Sequence, residues 1–227
     1  MPSYFSLADH QSLQVAAAHP GDSQSVYAKF LELHNLLHRR MRDRGWDLHP
    51  HWDKAHLISS SSVGCQPGSE IEGYVLSYSR SREQAALVER LMGRDYAHAA
   101  SQADVTRHPA IELRITPDAF AIELIISPSA WWDQRNLIGK LSIDRHRTAF
   151  RNMLTRMETD FRFGFFEGCH LNDMHLLAQQ LMRGKVLEEW MGTFADGQDW
   201  LRIGVWYTPE SDLLSEKKIL NESLHRL

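Results

Sequence analysis

The sequence predicts an α+β fold, in which helices pack against a mixed or mainly antiparallel sheet. Two observations lead to this expectation. A hairpin pattern occupies about residues 110–127, and apolar stripes with helical spacing lie on both sides of it without strict strand–helix alternation. The length of 227 residues fits a single α/β domain, with residues 1–54 as a candidate N-terminal helical appendage.

The chain before the hairpin is expected to hold two helices and two strands. Apolar residues at intervals of three and four predict a helix over 23–44, with Asp22 or Ser23 as its N-cap. Ser81 and Gln84 have the spacing of a capping box at the start of the second helix. The predicted strands are 55–60 and 71–79, and Gly93 is expected to close the second helix.

The hairpin is the best-defined local pattern. Large apolar residues recur at every second position of Ile111–Ile115 and of Phe120–Ile126. Proline suits the first central position of a tight turn, so Pro117–Asp118 is expected to be a two-residue loop. This register places the apolar side chains of both strands on one face and sets Glu112 opposite Glu123 on the other.

The remaining segments predict a further mixture of helices and strands. Ser127 and Pro128 are expected to begin one helix, and Asn172 to cap another. The predicted elements are helices over 143–157, 173–183, 185–191 and 209–227 and strands over 161–165 and 200–207.

Composition excludes some classes of protein. The net charge of −4 and the pI near 6.3 argue against a protein built mainly to coat nucleic acid. No run approaches the ~20 apolar residues of a membrane helix, and the N-terminus lacks a secretory pattern, so no membrane partner is expected. Two cysteines, Cys65 and Cys169, cannot form a disulfide framework, which favours a reduced cytoplasmic protein.

Two stretches of the chain resemble a known group of proteins. They are IELRITPDAFAIELII followed by WWDQRNLIGKL, and later WLRIGVWYTPE with SEKKILNESLHRL. Their order of strand, tight turn, strand, polar helix and closing helix is similar to that of the YktB-like group of uncharacterised bacterial proteins. The resemblance implies an α/β fold and carries no catalytic signature, so no residue takes a role from it.

The facing carboxylates of Glu112 and Glu123 are the first candidate site, with a catalytic role. Directly opposed like charges destabilise a sheet, so a divalent metal or an arginine such as Arg114 is expected to offset them. Two-carboxylate nucleases hold Mg²⁺ in this way, but Ile125 stands where such sites usually carry a lysine. The alternative is a solvated or arginine-bridged pair on an exposed sheet face.

Histidines form the second candidate site, for a metal ion. His34 and His38 are four residues apart on a predicted helix, which suits two ligands of one metal. His170 and His175 form a second cluster in the sequence. The alternative is ordinary surface or half-buried imidazole.

Arginine and tryptophan residues form the third candidate site. Trp131 and Trp132 diverge on a helix, so one of them can line a cleft for an anionic ligand together with Arg135 and Arg114. A wider set of basic and aromatic residues could meet nucleic acid, with solvated helix ends as the alternative. That set comprises Arg39, Arg40, Arg42, Arg44, Trp46, Trp52, Arg80, Arg82, Arg145, His146 and Arg147.

No dinucleotide, P-loop or hydrolase motif occurs in the sequence. The leading hypothesis is therefore a binding or regulatory module for an anionic ligand, nucleic acid or a protein partner, with self-assembly through exposed tryptophan as a variant. The alternative is a metal-dependent hydrolase that acts on phosphodiesters through the paired carboxylates or the histidines.

Overall fold

The computed structural model describes residues 3–16, 24–50, 57–92 and 103–227. Within them the fold is α+β, as the sequence predicts. The helices are α1 (Leu7–Ala16), α2 (Gln24–Asp43), α3 (Arg82–Leu91), α4 (Trp131–Leu141), α5 (Asp144–Leu154), α6 (Ala178–Leu181), α7 (Val186–Gly192) and α8 (Ile219–Arg226). The strands are β1 (His49–Pro50), β2 (Ile58–Ser59), β3 (Tyr74–Ser79), β4 (Ala110–Ile115), β5 (Phe120–Ile126), β6 (Arg162–Phe165), β7 (His175–Leu177) and β8 (Leu201–Tyr207).

The strands of the described chain form one open sheet in the order β1-β3-β4-β5-β8-β6-β7, and β2 also pairs with β3. All of these pairings are antiparallel. The sheet is therefore of the mainly antiparallel kind that the sequence predicts, with the hairpin β4–β5 at its centre.

The hairpin has the predicted register. Ile115 pairs with Phe120, and the backbone N–H of Thr116 donates to the carbonyl of Ala119 at 2.9 Å. Pro117–Asp118 is thus the two-residue turn, and the strand patterns on either side of it share one apolar face.

That apolar face carries the main core. Leu113, Phe120 and Val205 from the central strands pack with Phe30 of α2 and Leu224 of α8, and all are buried. The N-terminal helices therefore belong to the same core as the sheet. Farther along this face, Phe163 of β6 packs with residues of α5–α7 in a second apolar cluster.

In the described part of the chain, two loops cover the opposite face. The β2–β3 loop (residues 60–73) and the β6–β7 loop (residues 166–174) lie over the central strands. They contact each other, because the N–H of Gly168 donates to the carbonyl of Gly64 at 2.8 Å. This face holds the charged residues described below.

Several local predictions are confirmed and three are corrected. Ser81 and Gln84 form the predicted capping box of α3, whereas Asp22, Ser23 and Gly93 lie outside the described residues. The helix predicted over 173–183 is wrong, because His175–Leu177 pair with β6 as an edge strand and only Ala178–Leu181 are α-helical.

The other two corrections concern the starts of helices. Ser127 occupies the N-cap position and Pro128 begins the helical segment, as predicted, but the first turn, Pro128–Ala130, is 3₁₀. The Ser127 hydroxyl donates to the carbonyl of Thr106 and makes no side-chain cap. The helix predicted over 209–227 is interrupted, with a 3₁₀ turn at Asp212–Leu214 before α8. In the described part of the chain, no helix has the length and apolar content to cross a membrane.

Candidate functional site

Four charged side chains lie buried on the loop-covered face of the sheet. They are Glu112 and Arg114 of β4, Glu123 of β5 and Arg202 of β8, each no more than 1% exposed. Glu112 lies directly opposite Glu123, as the hairpin register predicts. We call these four residues the charge cluster.

Arginines neutralise the two carboxylates. Arg202 donates from Nε and Nη2 to both oxygens of Glu123, at 2.9 and 2.7 Å. Arg114 also donates to Glu123, and its Nη1 lies 3.6 Å from Glu112. Two positive groups thus face two negative groups, which is the pairing that buried charges require.

Glu112 binds the β2–β3 loop to the sheet. Its Oε1 accepts from the backbone N–H of Val63 at 2.9 Å and from Ser77 Oγ at 3.1 Å, while its Oε2 accepts from Ser62 Oγ at 2.5 Å. Because three donors already bind its two oxygens, Glu112 acts here as a structural acceptor.

Two glycines leave room for this cluster within the strands. A Cβ at Gly204, which pairs with Glu123, would lie 2.7 Å from Glu123 Cγ and 2.5 Å from the carbonyl oxygen of Ile122. A Cβ at Gly164 would collide with the ring of Phe166, which lies 4.8 Å below the Arg202 guanidinium. Glycine in a strand interior is the sequence signal that could have revealed this close approach.

The structure changes the interpretation of the carboxylate pair. Glu112 and Glu123 meet as predicted and are bridged by Arg114, which was the alternative to a metal. The prediction that this face of the sheet is exposed is wrong, because the two loops cover it. Arg202 was missed as a partner, since its strand alternates large side chains on both faces and gives no sign of an ion pair.

The loops also bring the two cysteines together. Cys65 and Cys169 are separated by 104 residues in the chain, yet their sulfur atoms lie 3.1 Å apart as free thiols. Arg114 donates to the carbonyl of Cys169 at 3.3 Å, so the β6–β7 loop is also held by the charge cluster.

The environment makes the two thiols unequal. A hydrogen bond from Cys65 and the positive charges of Arg114 and Arg202 lower the pKa of Cys169 to about 7, although burial opposes this change. The hydrogen bond to Cys169 and burial raise the pKa of Cys65. Cys169 is thus the thiol of the pair that ionises first.

A pocket of about 530 Å³ opens beside the β2–β3 loop. Apolar walls come from side chains such as Val63, Pro128 and Trp200, and half of the lining residues carry a hydroxyl group. The hydroxyl-bearing lining residues are Ser59, Ser61, Ser62, Ser69, Ser77, Thr106, Ser127 and Ser129. Among the described residues, no charged side chain lines this pocket.

The predicted histidine site is not assembled. His34 and His38 stack on α2 with ring centroids 5.5 Å apart, and His34 Nδ1 lies 3.0 Å from the hydroxyl of Tyr78 on the apolar face. His170 lies in the loop on the opposite face, and His175 is in the edge strand β7. The described residues contain no group of three or more His, Cys, Asp or Glu that could hold a metal ion.

The predicted tryptophan–arginine cleft is not formed either. Trp131 and Trp132 are half-buried and contact each other edge to face, with centroids 5.8 Å apart. The Arg135 side chain is 72% exposed and lies 3.7 Å from Asp196, whereas Arg114 is buried in the charge cluster. Arg114 therefore cannot line a cleft with Arg135.

The wider basic and aromatic set is also dispersed among local contacts. Arg44 lies over the ring of Trp46 at 5.3 Å, and Trp52 is outside the described residues. Arg80 forms an ion pair with Asp133 at 2.7 Å, and Arg147 pairs with Asp144. These contacts agree with the alternative of helix-end charges.

Comparison of the sequence with known protein families and with curated proteins finds no match.

Proposed function

We propose that this protein is a binding module whose 530 Å³ pocket takes a small neutral organic molecule with an apolar body and N–H or O–H donors. The volume falls within the range of small-molecule sites, which are mostly apolar with a few fixed polar groups. The observation that carries the proposal is the orientation of the hydroxyl groups in the pocket wall.

Five of these hydroxyls donate their hydrogens to protein acceptors, those of Ser59, Ser62, Ser77, Thr106 and Ser127. Ser77 donates to Glu112 at 3.1 Å, Thr106 to Asp104 at 2.8 Å and Ser127 to the carbonyl of Thr106 at 2.6 Å. Carboxylate and carbonyl oxygens only accept, so the hydroxyl hydrogens are fixed away from a ligand. The pocket therefore offers oxygen lone pairs, which suit a ligand that donates.

This arrangement favours a neutral ligand over the anionic one expected from the arginine content. A carboxylate or phosphate in this pocket would face acceptor oxygens with no cation to offset its desolvation. Arg114 and Arg202, which lie on the same face of the sheet, are already paired with Glu123. Nucleic acid is disfavoured for the same reason.

The metal-dependent hydrolase receives less support. Glu112 accepts from Ser62, Ser77 and Val63, and both oxygens of Glu123 accept from arginine. A metal ion would have to displace these donors.

The proposal also includes a cytoplasmic location, because a chain with only two cysteines has no disulfide framework.

A matched pair of probes tests the pocket. Indole-3-carboxamide and indole-3-carboxylate share one apolar body, and they differ in the charge and donors of the substituent. We expect the amide to bind at least about tenfold more tightly in calorimetric titration, because burial of the unpaired carboxylate is costly.

Two tryptophan variants locate the binding. Ser129→Trp fills the exposed rim of the pocket, while Ser142→Trp places the same side chain at an exposed position after α4. The signal of indole-3-carboxamide in saturation-transfer NMR should disappear with Ser129→Trp and persist with Ser142→Trp. The proposal would be overturned if the carboxylate and the carboxamide bound equally tightly, or if the two variants bound the carboxamide equally. It would also be overturned if neither probe bound the wild-type protein.

A further inference from the structure

The two cysteines lie where a reversible chemical step can occur. Their sulfur atoms are in contact at 3.1 Å, and each belongs to one of the two loops over the charge cluster. Hydrogen bonds join the loops. The N–H of Gly168 donates to the carbonyl of Gly64, and the backbone N–H of Gln66 donates to the carboxylate of Glu167 at 3.3 Å. The thiols are therefore held in proximity by the fold.

A small reactant can reach both sulfur-bearing residues. Cys65 and Cys169 line one pocket of about 300 Å³ together with Glu72, Thr116 and His170. Cys169 also borders a neighbouring pocket of about 350 Å³. Cys65 is half-buried and Cys169 is about 9% exposed, so a reactant as small as a hydroperoxide fits this access better than a bulky disulfide.

We propose that Cys65 and Cys169 form a peroxide-reactive thiol pair, in which Cys169 attacks a hydroperoxide and Cys65 resolves the product into an intramolecular disulfide. Cys65 also lines the 530 Å³ pocket, but the reaction needs no occupant there, so the proposal is tested on ligand-free protein.

The reaction consists of two balanced steps. First, Cys169 sulfur bonds to one peroxide oxygen, the O–O bond breaks, and the other oxygen leaves as water or an alcohol with the thiol proton. Cys169 is then a sulfenic acid, oxidised by two electrons, and the peroxide is reduced by two. Second, Cys65 sulfur bonds to Cys169 sulfur, the S–O bond breaks, and the hydroxyl group leaves as water with the proton of Cys65.

The roles of the two residues follow from their surroundings. The thiolate is the nucleophile, and Arg114 and Arg202 favour it at Cys169. The sulfur of Cys65 lies 3.1 Å from that of Cys169, so Cys65 is placed to attack the Cys169 sulfur once it is oxidised.

The intact protein provides the test, because the sequence contains no other cysteine. The reduced protein is treated with hydrogen peroxide at about one equivalent, and its mass is measured after alkylation. We expect a monomer that is lighter by about 2 Da and carries no alkyl group, with a Cys65–Cys169 cross-link in the tryptic digest that dithiothreitol removes. Formation should be at least about tenfold faster in the native protein than in urea, where the proximity is lost.

Two serine variants separate the roles. Cys65→Ser keeps a donor beside Cys169, so the initial oxidation should proceed within about threefold of the wild-type rate and stop at a sulfenic acid that dimedone labels. Cys169→Ser should lower the rate of the initial oxidation by peroxide at least about tenfold, because it removes the nucleophilic thiolate.

Three results would overturn the proposal. They are disulfide formation no faster in the native protein than in urea, disulfide-linked dimers in place of the intramolecular product, and equal rates in the two variants. The comparison of native with unfolded wild-type protein decides the matter even if a variant fails to fold. All of these measurements use protein without the indole probes, so their outcomes do not depend on whether the proposed ligand binds.

Discussion

At the scale of single residues, the central feature is the pairing of buried charges. Arg202 and Glu123 form a two-point ion pair with no exposed side-chain surface. Loss of one member of a buried pair leaves an uncompensated charge and costs about 3–5 kcal/mol, whereas an exposed ion pair contributes roughly 0–1 kcal/mol.

The first prediction compares a buried with an exposed arginine. Arg202→Met should lower the free energy of unfolding by about 3–5 kcal/mol in urea denaturation, because Glu123 keeps only Arg114. Arg135→Met, which removes an exposed partner of Asp196, should change it by less than about 1 kcal/mol. Similar losses in both variants would contradict the buried pairing.

The second prediction concerns acid stability. Burial, assisted by the charge of His38, lowers the pKa of His34 to about 4. An unfolded histidine titrates near 6.5, so between these values the unfolded chain binds more protons and stability falls as the pH falls. His34 stabilises the fold fully only above about pH 6.5, and its contribution declines by roughly 3 kcal/mol by about pH 4.

The matching variant is His34→Gln, which keeps a polar contact for Tyr78 without this titration. The difference in unfolding free energy between pH 7 and pH 4.5 should be smaller in the variant than in the wild type. The exposed His170→Gln serves as the control. A variant whose pH dependence matches that of the wild type would refute this assignment.

At the scale of elements, glycines decide how closely the central strands approach. The third prediction is that Gly204→Ala destabilises the fold by at least about 2 kcal/mol, because its Cβ would lie 2.5 Å from the carbonyl oxygen of Ile122. Gly139→Ala in α4 meets nothing within 4 Å and should raise stability by about 0.5–1 kcal/mol. Thermal and urea unfolding measure both changes, and a neutral Gly204→Ala would contradict the packing.

The elements that sequence analysis predicts well are those whose local signals agree with their tertiary contacts. The hairpin register follows from alternation plus the Pro117–Asp118 turn, and the α3 capping box follows from Ser81 and Gln84. The pattern at 173–183 has no such agreement. Its short apolar run suits a helix or a strand, and pairing with β6 decides the outcome.

The candidate sites were harder to predict, because they depend on contacts between distant segments. Glu112 opposite Glu123 follows from one hairpin, whereas Arg202 reaches Glu123 from a strand 79 residues later. Cys65 and Cys169 meet only because two loops cover the same sheet face. No spacing in the sequence encodes these meetings.

At the scale of the whole molecule, the two sheet faces have different roles. Helices cover one face and form the main apolar core, while loops cover the other and are held by buried carboxylates and arginines. The 530 Å³ pocket and the thiol pair both lie along these loops. Both proposals therefore depend on the charge cluster fixing the loops to the sheet.

Native-state hydrogen exchange of the Val63 amide tests this dependence most directly. Val63 lies in the β2–β3 loop outside any helix or strand, and its N–H donates to buried Glu112 at 2.9 Å. The N–H of exposed Ser61, two residues earlier, donates to the hydroxyl of Ser59 at 3.3 Å. We predict that Val63 exchanges at least about 100-fold more slowly than Ser61 after correction for intrinsic rates. Equal protection of the two amides would contradict the claim that the charge cluster anchors this loop.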